Sequence, residues 1–183
     1  LRRDQRRLLR GLRQHRITRG KCGRDLSRED RQREVPGRDA DDGTERPVRF
    51  NEMEFHLPVE NQLKALEEVV RTIEKERPDV FFPIEARRIA PDDAWLSPFQ
   101  GETRGSVAVH AYYRDDFSFL YSLVEPIFRR YEGRPHWGKL HTLRGQQLAA
   151  LYPRWNDFLA VRQELDPEGR MLNPYLRGLF GLT

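Results

Sequence analysis

All 19 aromatic side chains of this 183-residue chain lie beyond residue 46. Aromatic rings bring the largest apolar areas to a core, so a packed fold must come from 47–183. The first 46 residues hold 15 basic and 9 acidic side chains, the remainder 18 and 20. The net charge of +4 therefore divides into +6 before the boundary and −2 after it. Residues 1–46 are expected to be a disordered Arg-rich segment, because too few apolar side chains recur there to enclose a core. Three readings of it stay open: an arm for nucleic acid or an anionic membrane, a solvated linker, and a non-native stretch such as a shifted-frame translation. Interleaved acidic residues and the lack of stacking rings weigh against nucleic acid as a partner. The single cysteine, Cys22, excludes an internal disulfide and a cysteine-built zinc site. No stretch reaches the roughly 18 apolar residues of a membrane span, so no transmembrane segment is expected. A cytoplasmic location fits, with peripheral membrane attachment left open.

Beyond the boundary the apolar periods change element by element. "VRFNEMEFHL" alternates, with Met53, Phe55 and Leu57 on one face and Phe50, Glu52, Glu54 and His56 on the other. Pro58 then opens a helix in which Val59, Leu63, Leu66, Val70 and Ile73 form the apolar stripe, and Pro78 ends it. A second strand is expected over 80–89, with Phe82, Ile84 and Ala86 toward the helix and Phe81, Pro83, Glu85, Arg87 and Ile89 away from it. Pro83 argues for an edge or a bulge. A loop with Trp95 as an aromatic plug leads to a third strand, 106–113, with Ser106, Ala108, His110 and Tyr112 on its polar side. A helix from Phe117 to Tyr131 with a kink at Pro126 follows, then "RPHWGKL" as a fourth strand with Lys139 beside Trp137. Helical segments near 144–151 and 154–165 and a short final turn close the chain.

Strand–helix–strand–strand–helix–strand is the split βαβ of a ferredoxin-like sandwich, so the expected fold is α+β, an antiparallel sheet with helices on one face. The other face then carries Glu85, Arg87, His110, Tyr112 and Lys139, a mixture of donors, acceptors and cations suited to a polyhydroxylated ligand. The same pattern also suits a merely solvated sheet face with a weak Glu–Arg pair, and both readings stand on pattern alone. His136 and His141 lack a carboxylate or cysteine partner at metal-ligand spacing, so no metal is expected.

"VRFNEMEF", "FFPIEARRIAPDDAWLSPF", "SVAVHAYYR", "EPIFRRYEGRPHWGKLHTL" and "LDPEGRMLNPYLRGLFG" together resemble the C-terminal part of the FAD-dependent sugar-1,4-lactone oxidases. That family includes D-arabinono-1,4-lactone oxidase, L-gulono-1,4-lactone oxidase or dehydrogenase, and alditol oxidase. The resemblance covers 47–183 and implies a substrate-side cap domain of the vanillyl-alcohol-oxidase type. FAD would be bound mainly by an upstream domain that 1–46 does not resemble, so this fragment alone is expected to be inactive. Position by position, it implies Glu85, Arg87 and Lys139 as catalytic residues and His110, Tyr112, His136 and Trp137 as substrate contacts. Lys139 and Asn173 would contact the cofactor. Tyr112 stands where alditol oxidases have a smaller hydroxyl residue. The implied partners are a sugar lactone or polyol, oxygen or another electron acceptor, and the flavin domain. A truncated inactive remnant and, less favoured, a basic-armed nucleic-acid-binding module are the alternatives.

Overall fold

The computed structural model describes residues 49–182, so the expectation for the Arg-rich segment 1–46 lies outside the described residues. Nine residues, buried without a break from Met53 on, form β1 (Phe50–Pro58), and α1 (Val59–Glu76) follows directly. β2 (Glu85–Ile89) and β3 (Arg104–Tyr112) come next, then a π-helical turn (Leu120–Val124) running into α2 (Glu125–Arg130). β4 is the pair Arg134–Pro135, and α3 (Gly145–Ala149), α4 (Trp155–Leu165) and α5 (Pro174–Phe180) complete the described elements. The strands form one antiparallel sheet in the order β2-β3-β1-β4.

One face of the sheet is the core side. Met53, Phe55 and Leu57 of β1 and Val107, Val109 and Ala111 of β3 are buried there, against Leu66, Val69 and Ile73 of α1 and Phe128 of α2. Phe55 and Phe128 stack with centroids 5.1 Å apart. A second group of rings gathers Trp137 with Tyr152, Trp155 and Phe180 at 5.7–6.0 Å, tying α4 and α5 to the segment that follows β4.

Five local expectations are corrected. The stripe of α1 is rotated: Leu63 is partly exposed and Gln62 is buried. Gln62 repays its burial by donating to the carbonyls of Arg87 (2.8 Å) and Ser106 (3.1 Å) and accepting from Arg88 Nε (2.9 Å). Gly105 leaves the space, since a Cβ there would stand 2.2 Å from Gln62 Cδ. Next, β2 starts only at Glu85, so strand alternation does not extend back to 80–84. Phe82 accordingly packs with Phe50 (5.8 Å) and Phe81 (4.8 Å) rather than against the helix.

The third correction is at Pro126. The Glu125 N–H reaches back to the Leu120 carbonyl in a π-type bond, and Pro126 then sits in the first turn of α2, where no N–H is needed. Fourth, Trp95 is no plug; it lies half-buried beneath the Arg154 guanidinium, 4.6 Å from its ring centre. Finally, "RPHWGKL" is not a continuous strand. His136 N donates to Glu54 O (2.9 Å) and Leu140 N to Glu52 O (3.0 Å), so residues two apart on β1 face residues four apart on this segment. The three residues between, Trp137–Gly138–Lys139, stand opposite Met53 alone and bulge out, closed by Lys139 N donating to His136 O (3.0 Å).

Candidate active site

The bulge and the sheet register together build a charged cluster on the face that the core does not use. Across the sheet, Glu85, Ala108 and Glu54 lie in one row and Arg87, Ser106 and His56 in the next, with Glu52 opposite His110. Small side chains on β3 leave Arg87 free to reach over Ser106 to Glu54. Arg87 Nη2 donates to Glu54 Oε1 at 2.8 Å and lies 3.8 Å from Glu85 Oε2. The Ser106 hydroxyl donates to the same Glu54 oxygen. From the other side, the bulge aims the Lys139 ammonium at both Glu54 and Glu52. His110 Nδ1 donates to the Pro83 carbonyl (3.0 Å), and its Nε2 lies 3.4 Å from Glu52 Oε1.

Four of the expected site residues, Glu85, Arg87, His110 and Lys139, are thus joined through two carboxylates that the sequence reading did not select. Glu52 and Glu54 were visible on the polar side of β1, but nothing in the sequence signalled that β3 and the bulge would flank them. Burial opposes ionisation of Glu54, yet hydrogen bonds from Lys139 and Ser106 overcome it and hold the carboxyl at about 2. Burial likewise opposes ionisation of Glu52, and the bonds from His110 and Lys139 again win, lowering its pKa.

His136 and Trp137 line a pocket of about 470 Å³ with Glu54, His56, Arg87 and Lys139, closed on one side by Ile89, Leu96 and Phe99. His136 Nδ1 accepts from Gly138 N at 3.1 Å. On the far side of Lys139 a second recess of about 550 Å³ is lined by Phe50, Asn51, Glu52 and Tyr175. Tyr175 of α5 donates its hydroxyl proton to Trp137 O (2.9 Å), so His141 Nε2 is the donor in its 3.3 Å contact with that hydroxyl. Tyr112 lies outside the charged cluster, near Phe81 (6.3 Å) and Tyr113 (4.9 Å). Asn173 is the N-cap of α5, its side-chain oxygen accepting from Leu176 N at 2.8 Å.

His56 is the least satisfied group of the site. It is 1% exposed, both ring nitrogens lack a partner, and Nδ1 stands 4.0 Å from Glu54 Oε1. Burial pushes its pKa down to about 4 against the pull of Glu54. Among the described residues no group of three or more His, Cys, Asp or Glu could hold a metal ion, and no helix is long and apolar enough to cross a membrane.

An α+β domain with cations anchored on buried carboxylates beside an open pocket is the class that fold and site define. The family pattern that matches it, over residues 43–179, is that of D-arabinono-1,4-lactone oxidase, and the chain belongs to this family. An L-gulono-1,4-lactone dehydrogenase of Mycobacterium tuberculosis is 43% identical over 138 residues, covering 75% of this chain and 32% of that protein. An alditol oxidase of Streptomyces is 39% identical over 129 residues (69% and 30%), and an L-gulonolactone oxidase of Scyliorhinus torazame 33% over 133 residues (69% and 30%). These relatives are oxidoreductases, and the chain spans about a third of their length.

Proposed function

We propose that residues 47–183 form the substrate-side cap of an FAD-dependent oxidoreductase that oxidises a CH–OH group of a sugar-1,4-lactone of the D-arabinono or L-gulono type, an alditol being the alternative. The observation that carries this reading is the anchoring of Arg87 and Lys139 on one buried carboxylate, Glu54, at an open pocket. The element order β-α-β-β-α-β, with the charged face turned away from α1, supports a ferredoxin-like cap whose free face meets a second, flavin-binding domain.

The pocket's residues fit such a cofactor. Apolar surface from Ile89, Leu96 and Phe99 beside the N–H donors of Lys139 and Arg87 suits a flat ring system with polar edges. When bound, the flavin supplies the hydride acceptor. An ammonium has three N–H groups; two of Lys139's go to Glu52 and Glu54, leaving one for a ligand. Arg87 spends Nη2 on Glu54 and keeps its other donors. Donors fixed in this way hydrogen-bond the substrate hydroxyl and stabilise the negative charge that grows on its oxygen as its proton passes to solvent at the open side of the pocket. Glu85 orients Arg87, His136 and Trp137 bound the space for the remaining hydroxyls, and His110 acts on it through Glu52. Glu54 is ionised and engaged by three donors, so it acts as an anchor and not as the base.

A hybrid tests this: residues 47–183 replace the matching segment of the mycobacterial dehydrogenase, and flavin absorbance is followed under anaerobic conditions with L-gulono-1,4-lactone. The lactone is expected to bleach the flavin. A hybrid that holds FAD but is not bleached by lactones or alditols contradicts the reading.

A further inference from the structure

The two cations of this pocket are outnumbered by the carboxylates that touch them. Lys139 binds Glu52 and Glu54, and Arg87 binds Glu54 and lies beside Glu85. Glu54 is 3% exposed at its side chain and Glu52 17%, so neither charge is dispersed by solvent, whereas Glu85 is 38% exposed and better screened. A ligand entering the pocket therefore meets polarised N–H donors and carboxylate acceptors without a surplus of positive charge. A further buried polar group borders the same space: His56, its ring against Phe99 (4.6 Å), has both ring nitrogens unpartnered. A neutral imidazole offers one donor and one acceptor, as a hydroxyl does, and at neutral pH His56 stays uncharged because burial holds its pKa near 4.

We propose that Glu52 and Glu54 are specificity-determining residues: by cancelling the charge of Lys139 and Arg87 they make the pocket select an uncharged polyhydroxyl ligand and refuse an anionic one of the same size. Resting on the lactone reading above, this means that a ring-closed sugar lactone is admitted and its ring-opened aldonate is turned away. The discrimination is repulsive in origin, because an entering carboxylate finds Glu52 and Glu54 already on the donors it needs. Taking Glu52 or Glu54 away frees a Lys139 N–H and, Glu85 being screened by solvent, leaves one buried or partly buried carboxylate to offset both cations, which converts the pocket into an anion site.

The test is binding to the 183-residue chain itself, with no flavin required. The amide resonances of Gly138 and Lys139 are followed while L-gulono-1,4-lactone or L-gulonate is added to equal concentration. The lactone is expected to move them and gulonate not. Glu52→Gln, which loses a partly exposed carboxylate, is expected to gain at least about tenfold in gulonate affinity, and Glu54→Gln, if it folds, to gain more. Equal responses of the unsubstituted chain to both ligands, no response to the lactone, or no gain in Glu52→Gln each overturn the proposal. A chain that prefers the lactone in this way, yet reduces no flavin in the hybrid, keeps the charge preference and sinks the oxidoreductase reading.

Discussion

Glu54 is buried and ionised at once, and the pH dependence of stability should report it. Its carboxyl titrates at about 2 in the fold and near 4.5 without it. The native state thus binds fewer protons in that window, and the stabilisation, about 3 kcal/mol, is complete above the unfolded value and lost as pH falls toward 2. His56 has the same sign higher up. Its pKa is about 4 in the fold and 6.5 outside it, so the unfolded chain takes up a proton first as pH drops from 6.5 to 4. His141, also lowered to about 4 by burial, adds to that limb. Urea midpoints of the chain between pH 7 and 4 are expected to fall steadily, and His56→Leu to remove about half of the decline. A midpoint that stays level across this range would contradict the protonation states assigned to both histidines.

At the scale of elements, the helix and the edge strand are pinned together by one amide. Gln62 of α1 holds the carbonyls of Arg87 and Ser106, and through them the backbone from which Arg87 crosses to the charged face. Gly105→Ala pushes a methyl group into Gln62, so it should break these bonds and cost about 2 kcal/mol in urea unfolding. An unchanged midpoint would show that Gln62 swings aside without loss. Similarly, Tyr175→Phe removes the hydroxyl that ties α5 to the bulge, and amide exchange at Gly138 and Lys139 should quicken several-fold while that of β1 does not. The alternation of β1 and β3 was legible because an antiparallel strand with one apolar and one polar face writes its period into the sequence, even though both faces are largely buried here. Gln62 was not, because a polar residue on an apolar stripe reads as exposed until its partners, 25 and 44 residues away, are known. The bulge was hidden for a related reason: "RPHWGKL" carries strand-like residues, and only the pairing with Glu52 and Glu54 reveals the surplus.

For the molecule as a whole, the order of elements and the face bearing Glu85, Arg87 and His110 followed from strand phase, while Lys139 reaches that face from a bulge and the carboxylates that join them depend on contacts made by distant parts of the chain. Lys139 and Glu52 are 87 residues apart, and Arg87 and Glu54 33. Such separations leave no local mark. On the proposed function this face is the substrate side of a flavin oxidoreductase, with Arg87 and Lys139 acting where charge develops. The most direct measurement is the anaerobic rate of flavin reduction by L-gulono-1,4-lactone in the hybrid, with and without Arg87→Ala or Lys139→Ala. Each substitution should lower the rate by a factor of about 10² to 10³ with little change in bound FAD. Rates close to that of the unsubstituted hybrid in both variants would contradict it, and would reduce the cluster to a structural clamp on the edge of the sheet.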